Sequence, residues 1–357
     1  MQPHPDFERA RELVLEHGWN STCYQILNPG IRYWFSARHP AVAGYAEHAG
    51  VLVVAGAPVS PEADLPEVTA ELERDAARRG LRVCYFGAEA RLEKVLRGSP
   101  RHSRVLLGAQ PVWEPASWAG IVKRHASLRA QLNRSRNKGV TVAERPASEA
   151  RHLRIEECLQ QWLGGRGLPS LHFLIEPNTL DVLADRRVFV AEQGGRAIGF
   201  LVASPIPGRH GWLVEQIVRG KGAPNGTTEL MIDAALRTLA AAGFAYATLG
   251  LAPLSRRSPY RLEDNPAWLR ALFSLAYAHG RRFYNFDGLD AFKAKLEPDR
   301  WEAVFALANR PRFSPRMLWA IAAAFSGGSP VLLMLRALRR RLLSGSPSPR
   351  SGEGAGG

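Results

Sequence analysis

The run GWLVEQIVRGKGAPNGTTELMIDAAL, from Gly211 to Leu236, carries the strongest local chemical signal in the sequence. A strand pattern leads into a Gly/Pro-rich turn and then into an amphipathic helix. At such a junction the unbonded N–H groups of the first helical turn, here Gly226 to Glu229, form an anion or oxyanion site, with Asn225 and Thr227 beside it. Glu215 and Arg219 stand four residues apart, so a regular strand projects both to one face. A carboxylate and a guanidinium placed there serve either as base and charge clamp or as a structural ion pair. The turn GKGAPNGT lacks the Lys-Ser/Thr pair that follows the second glycine of a Walker loop, which argues against nucleoside triphosphate hydrolysis.

A second cluster, RRFYNFDGLDAFKAKLEP, gathers Tyr284, Asn285, Asp287, Lys293 and Lys295 around one Gly-Leu turn. Lysines spaced by two are either solvated or turned to a substrate. The ten histidines show neither His-x-x-x-His nor His-Glu-x-x-His spacing, and there is no Gly-x-Ser-x-Gly elbow. Metallohydrolase and serine-esterase chemistry therefore fall away and no metal site is expected; His39, His102, His210 and His279 read as surface or packing residues. Cys23, Cys84 and Cys158 are odd in number and widely spaced, which indicates neither disulfides nor zinc and suits a reducing cytosol.

Two similar series of elements must position these residues. In the first half the periodicity predicts a helix over 6–17, strands over 23–27, 31–36 and 50–56, a helix over 65–80 and a strand over 81–86. In the second it predicts strands over 188–192, 197–204 and 211–218, a helix over 227–242, a strand over 246–251, a helix over 266–279 and a strand over 282–286. Between them, Ile121, His125, Leu128 and Leu132 mark one face of a helix from Ser117 to Lys138 that ends at Gly139. Its other faces carry Lys123, Arg124, Arg129, Arg134, Arg136 and Lys138, with no carboxylate from Pro115 to Ala143. They form either a solvated linker or a phosphate-binding surface.

The 357 residues suit roughly two domains at about 150 residues each, and 46% apolar residues with nine tryptophans support real cores. The formal charge of +14 points to polyanions such as RNA or anionic lipid. The N-terminus lacks the pattern of a secretory signal. Near the other end, the stretch from Met317 to Leu335 has no charge, is broken at Gly327 to Pro330, and is followed by Arg336, Arg339, Arg340 and Arg341. This pattern fits an interfacial membrane anchor over 313–343, with a helix packed on the core as the alternative and a disordered tail over 344–357.

RGKGAPNGTTEL, TLGLAPL (Thr248 to Leu254) and RFYNFDGLDAFKAKLEP together resemble the catalytic C-terminal region of the phosphatidylglycerol lysyltransferases, or multiple peptide resistance factors. HGWNSTCYQIL, LVVAGAPVSP and LRAQLNRSRNKGV extend the resemblance more weakly, so that it covers roughly residues 15 to 310. It implies an α/β (α+β) fold of tandem GNAT-like acyltransferase domains with mixed sheets, one over 1–116 and a catalytic one over 140–312, joined by the basic helix over 117–139. The implied activity is transfer of an aminoacyl group from aminoacyl-tRNA to a hydroxyl of an anionic lipid such as phosphatidylglycerol, with no cofactor. The expected setting is cytoplasmic, peripheral to the inner face of the membrane and held there by the C-terminal segment. The family's membrane flippase part has no counterpart here, so a stand-alone synthase-like module is expected.

The implied catalytic set is Arg219, Glu215 and one or both of Lys293 and Lys295, with Gln216, Asn225, Gly226, Thr227, Tyr284, Asn285 and Asp287 lining the substrate. Lys123, Arg129, Arg134, Arg136 and Lys138 would hold tRNA or lipid phosphates. The family usually has an acidic residue three positions before the arginine matched by Arg219; that position here is Gln216, and the adjacent Glu215 faces the opposite side of a regular strand unless a bulge re-aims it. Two other functions stay open: an acyl-CoA-dependent GNAT N-acyltransferase, whose turn is partly met over Arg219–Pro224, and a non-catalytic lipid- or RNA-binding module.

Overall fold

A computed structural model describes residues 5–152, 155–164, 172–181, 183–280 and 286–328. In the first half, α1 (Pro5–His17) precedes β1 (Arg32–Phe35), β2 (Val42–His48) and β3 (Val51–Ala55). Next come α2 (Leu65–Arg78), β4 (Arg82–Ala88), α3 (Ala90–Leu96) and the long β5 (Ser103–Trp113). α4 (Trp118–Arg124) and α5 (Ala126–Arg136) lead to β6 (Thr141–Arg145), α6 (Ala147–His152) and α7 (Ile155–Gly164). The second half continues with β7 (Arg187–Gln193), β8 (Arg196–Ile206), β9 (Gly211–Arg219), α8 (Thr227–Ala241), β10 (Tyr246–Thr248) and β11 (Ala252–Pro253). The chain then forms α9 (Ala267–Gly280), α10 (Phe286–Lys295), β12 (Arg300–Ala308) and α11 (Pro315–Ser326).

All the strands join one mixed sheet in the order β1-β2-β3-β4-β12-β5-β10-β9-β8-β7-β6, with β11 paired to β5. Two adjacent pairs, β3/β4 and β9/β10, are parallel, and each is connected through a helix, α2 or α8, as parallel strands require. The α/β architecture matches the expectation, but the two halves share a continuous sheet rather than meeting only through a helix. Antiparallel pairing of Ala247 with Trp113 and Thr248 with Val112 makes the join. β12 departs from the expected grouping with the second half: it lies between β4 and β5, so the first half's sheet is completed from residues 300–308.

The expected linker helix is two helices. His125 takes φ −99°, ψ 98° between them, and the Arg129 guanidinium turns back to the carbonyls of Val122 and Lys123, capping the first. Leu128 and Leu132 still face the core, as their spacing predicts. The expected strand at 23–27 is a fully buried 3-10 turn, Tyr24–Leu27.

The C-terminal apolar run also differs from the anchor reading over its described part. In α11, Met317, Ala320, Ile321 and Ala324 recur at helical spacing and are buried against the cluster that includes Val42, Val51 and Val53. Spacing of three and four along a short helix covers a sheet face as readily as a bilayer, and here the sheet takes it. The remaining apolar residues, the four arginines and the tail, 329–357, lie outside the described residues. Among the described residues no helix is long and apolar enough to cross a membrane.

Candidate functional site

β9 carries a bulge at Glu215. Gln216 pairs with Val202 while Val214 pairs with Ala203, which leaves Glu215 without a partner across the ladder. The extra residue shifts the side-chain alternation. Val214 and Ile217 pack on the α8 side, whereas Glu215 and Gln216 both reach the opposite face. Arg219 follows Ile217 to the α8 side, so Glu215 and Arg219 do not share a face as regular spacing predicted. The exposed Arg219 guanidinium instead meets Asn225 Oδ1 at 3.4 Å.

Glu215 is held in a buried seam between the two halves. Arg186 Nε donates to its Oε1 at 2.6 Å and Gln25 donates to its other oxygen. Arg186 also stacks over Tyr24, whose hydroxyl donates to Ala184 O. Gln216 is used at both ends of its amide: Thr179 donates to Oε1, and Nε2 donates to Pro177 O at 3.0 Å. These partners make Glu215 and Gln216 braces of β9 and give neither the open reach expected of a base or a substrate contact.

The start of α8 is covered by α5. Gly226 has φ +96°, and a Cβ there would lie 2.1 Å from Gln131 O, so only glycine fits. The Thr227 amide bonds Pro224 O, and its buried hydroxyl bonds Pro224 O and Ser135 Oγ. The oxyanion site expected at Asn225–Glu229 is therefore packed over.

Lys293 is 4% exposed, and its Nζ donates to three successive carbonyls, Leu249 at 2.8 Å, Gly250 at 2.8 Å and Leu251 at 2.9 Å. Burial pushes its pKa down to about 7, against the pull of Asp290. It pins the excursion between β10 and β11. Lys295 pairs with the Glu229 carboxylate at 3.0 Å in the first turn of α8. The two lysines thus serve different elements.

A pocket of about 730 Å³ opens where the two recognisable segments meet. Pro253 to Arg257 form one wall, Asp287 and Asp290 of α10 another, and Arg270, Phe273 and Ser274 of α9 a third. Arg257 Nε donates to Asp290 Oδ2 at 2.8 Å, while Asp290 Oδ1 is buried without a hydrogen-bond partner among the described residues. Of the expected substrate residues only Asp287 lines this pocket; Tyr284 and Asn285 lie outside the described residues. Asp290, Arg256, Arg257 and Arg270 were missed by sequence reasoning, although Asp290 stands inside the FDGLDAFK segment. Repeated Asp-x-x-Asp spacing on a helix was the available signal, because it puts both carboxylates on one face.

The basic helices divide by role. Asp233, 2% exposed, accepts from Arg136 Nη2 at 2.7 Å, Arg237 Nε at 2.8 Å and Trp118 Nε1 at 2.9 Å, so Arg136 holds α5 to α8. Arg129 caps α4. Lys123, Arg134 and Lys138 are exposed.

Residues 11–308 match the family described as phosphatidylglycerol lysyltransferase, C-terminal. The chain belongs to this family. It is 25% identical over 312 residues to the phosphatidylglycerol lysyltransferase of Bacillus subtilis, covering 86% of this chain and 35% of that protein. It thus spans about a third of that relative's length. The fold is shared with the C-terminal domain of a putative lysylphosphatidylglycerol synthetase from Agrobacterium fabrum, at TM-score 0.76 and 22% identity, covering 90% of this chain and 98% of the other. It is shared too with L-PGS from Bacillus licheniformis, at TM-score 0.71 and 22% identity, covering 96% and 97%.

Proposed function

We propose that this lysyltransferase-family chain transfers an aminoacyl group from aminoacyl-tRNA to a hydroxyl of an anionic phospholipid, in the pocket between Pro253–Arg257 and α10. The observation that carries this reading is the convergence there of two segments by which the family is recognised, with the Asp290 carboxylate between them, one oxygen of which has no hydrogen-bond partner among the described residues. The aminoacyl ester is already activated, so the site need only align the lipid hydroxyl with its carbonyl carbon, move one proton and stabilise the oxyanion. The Asp290 carboxylate, which lines the pocket, accepts the hydroxyl proton as the new C–O bond forms. The bond to the tRNA ribose then breaks, and that proton passes to the leaving ribose oxygen. Arg256, Arg257 and Arg270 face the lipid phosphate and the developing negative charge, while Lys293 fixes the wall that carries Pro253 and Leu254. Lys123, Arg134 and Lys138, free of local carboxylates, suit RNA phosphates.

The test is transfer of radiolabel from charged tRNA into extracted phosphatidylglycerol. Wild type should transfer, and Asp290→Asn should lose about two to four orders of magnitude in rate with its thermal transition retained, the range for removing a general base. Absence of lipid label from wild type across all charged tRNAs would overturn the reading.

A further inference from the structure

The wall of the proposed pocket is itself an amphipathic surface. Helix α9, AWLRALFSLAYAHG, turns Arg270, Phe273 and Ser274 to the pocket and packs Leu269 into the core. Its far side carries Ala271, Leu272 and Leu275, all exposed, while Trp268 one turn earlier packs partly on the core. Leu272 is 39% exposed and Leu275 57% exposed, two of only four large apolar side chains so exposed among the described residues. The helix has no carboxylate and carries Arg270 on its flank, in a chain of net charge +14.

We infer that the outer stripe of α9 seats the protein on an anionic phospholipid bilayer, so that the pocket it walls opens beside the lipid headgroups. The inference rests on the proposed lipid acceptor for its biological sense, but the surface itself is argued from its own residues. A helix with one apolar stripe, a flanking cation and no acid lowers its free energy by placing that stripe at the acyl boundary, and an anionic surface adds attraction. α11, where the sequence pattern suggested an anchor, spends its stripe on the sheet and exposes only Trp319 among its large apolar side chains, whereas α9 exposes both Leu272 and Leu275. A lipid acceptor must bring its headgroup to the pocket while its chains stay in hydrocarbon, and α9 borders both.

The experiment is co-sedimentation of the full chain with vesicles of phosphatidylglycerol and phosphatidylcholine, beside pure phosphatidylcholine, for wild type and Leu272→Glu/Leu275→Glu. Both positions are exposed, so a retained thermal transition is expected and is measured alongside. The double variant should bind the anionic vesicles at least tenfold less tightly, and wild type should prefer them to pure phosphatidylcholine. Equal binding by the two proteins overturns the inference. So does a change in sedimentation velocity between wild type and variant without lipid, because the stripe would then cover a second copy of the chain. Transfer to short-chain phosphatidylglycerol below its micellar concentration separates the two proposals: it should survive the double substitution if the stripe only docks. Failure of wild type to transfer would sink the enzymatic reading and leave the docking result standing.

Discussion

At the residue scale, Lys293 shows how a motif can be legible while its task is not. Its place in the FKAK segment marked it as functional, but the sequence does not say that all three ammonium donors are taken by the carbonyls of residues 249–251. That knowledge requires the excursion between two strand segments, which no local pattern encodes. The Glu215–Arg219 pairing fails for a related reason: a one-residue bulge inverts the alternation on which it rested, while Gln216, named through the resemblance, is held by Thr179 and Pro177. The Lys293 geometry has a pH signature. Its folded pKa, about 7, lies below the ordinary lysine value, so between those pH values the unfolded chain binds more protons and stability rises with pH. Lys293→Met lacks this contribution. The stability difference, wild type minus variant, should therefore grow by about 1.4 kcal/mol per pH unit from about pH 7 to about pH 10, read by urea denaturation. A flat difference would mean that the three carbonyls hold the ammonium in its ordinary range.

At the scale of elements, the apolar face of the basic segment was readable from Leu128 and Leu132, and its break at His125 was not. Nothing in the local sequence reports that Arg129 folds back on the preceding helix or that Asp233, almost a hundred residues on, claims Arg136. Six cations that looked equivalent therefore separate into structural and exposed ones. Replacing Lys123, Arg134 and Lys138 together by Gln should weaken tRNA binding and flatten its dependence on salt, since each lost phosphate contact removes about one unit of slope, while the thermal transition stays put. Arg136→Gln should do the reverse: little change in slope, with a loss of about 1–3 kcal/mol as buried Asp233 loses a charged donor. Gly226→Ala belongs with the structural set, because a methyl 2.1 Å from Gln131 O at φ +96° must drive α5 and α8 apart. An unchanged unfolding midpoint for either substitution would show that the α5–α8 contact contributes little.

For the whole molecule, the α/β class and the two similar series of elements followed from periodicity, but the sheet that unites them did not. Periodicity marked no strand over 300–308, which fell inside the expected second domain, and only tertiary pairing places β12 between β4 and β5, where it hydrogen-bonds on both sides. Near the junction, Arg209 bridges Glu89 at 2.8 Å and Glu302 at 2.6 Å, linking a turn of the second half to a carboxylate that follows β4 and to one on the neighbouring β12. Burial raises the Glu89 pKa; it is also the largest single influence on Glu302, but there the charges and hydrogen bonds of Arg209 and Arg300 together outweigh it and keep that carboxyl below its usual range. The halves are thus tied by backbone pairing, by buried charge and by the chain's return. α11 closes this arrangement by covering β2 and β3. Had it been a membrane anchor, deletion from Ser314 onward would release the protein from vesicles and leave the body intact. The structure predicts a different result. Removing α11 uncovers Val42, Val51 and Val53, which are fully buried, and discards the buried Met317 and Ile321. At about 1.5–3 kcal/mol for each large apolar side chain withdrawn from its burial, the loss is comparable to the whole stability of a typical domain. Chain ending at residue 313 should accordingly lose its cooperative thermal transition and aggregate, whereas chain ending at residue 328 should keep the transition. A folded, monomeric protein ending at 313 would return α11 to the membrane.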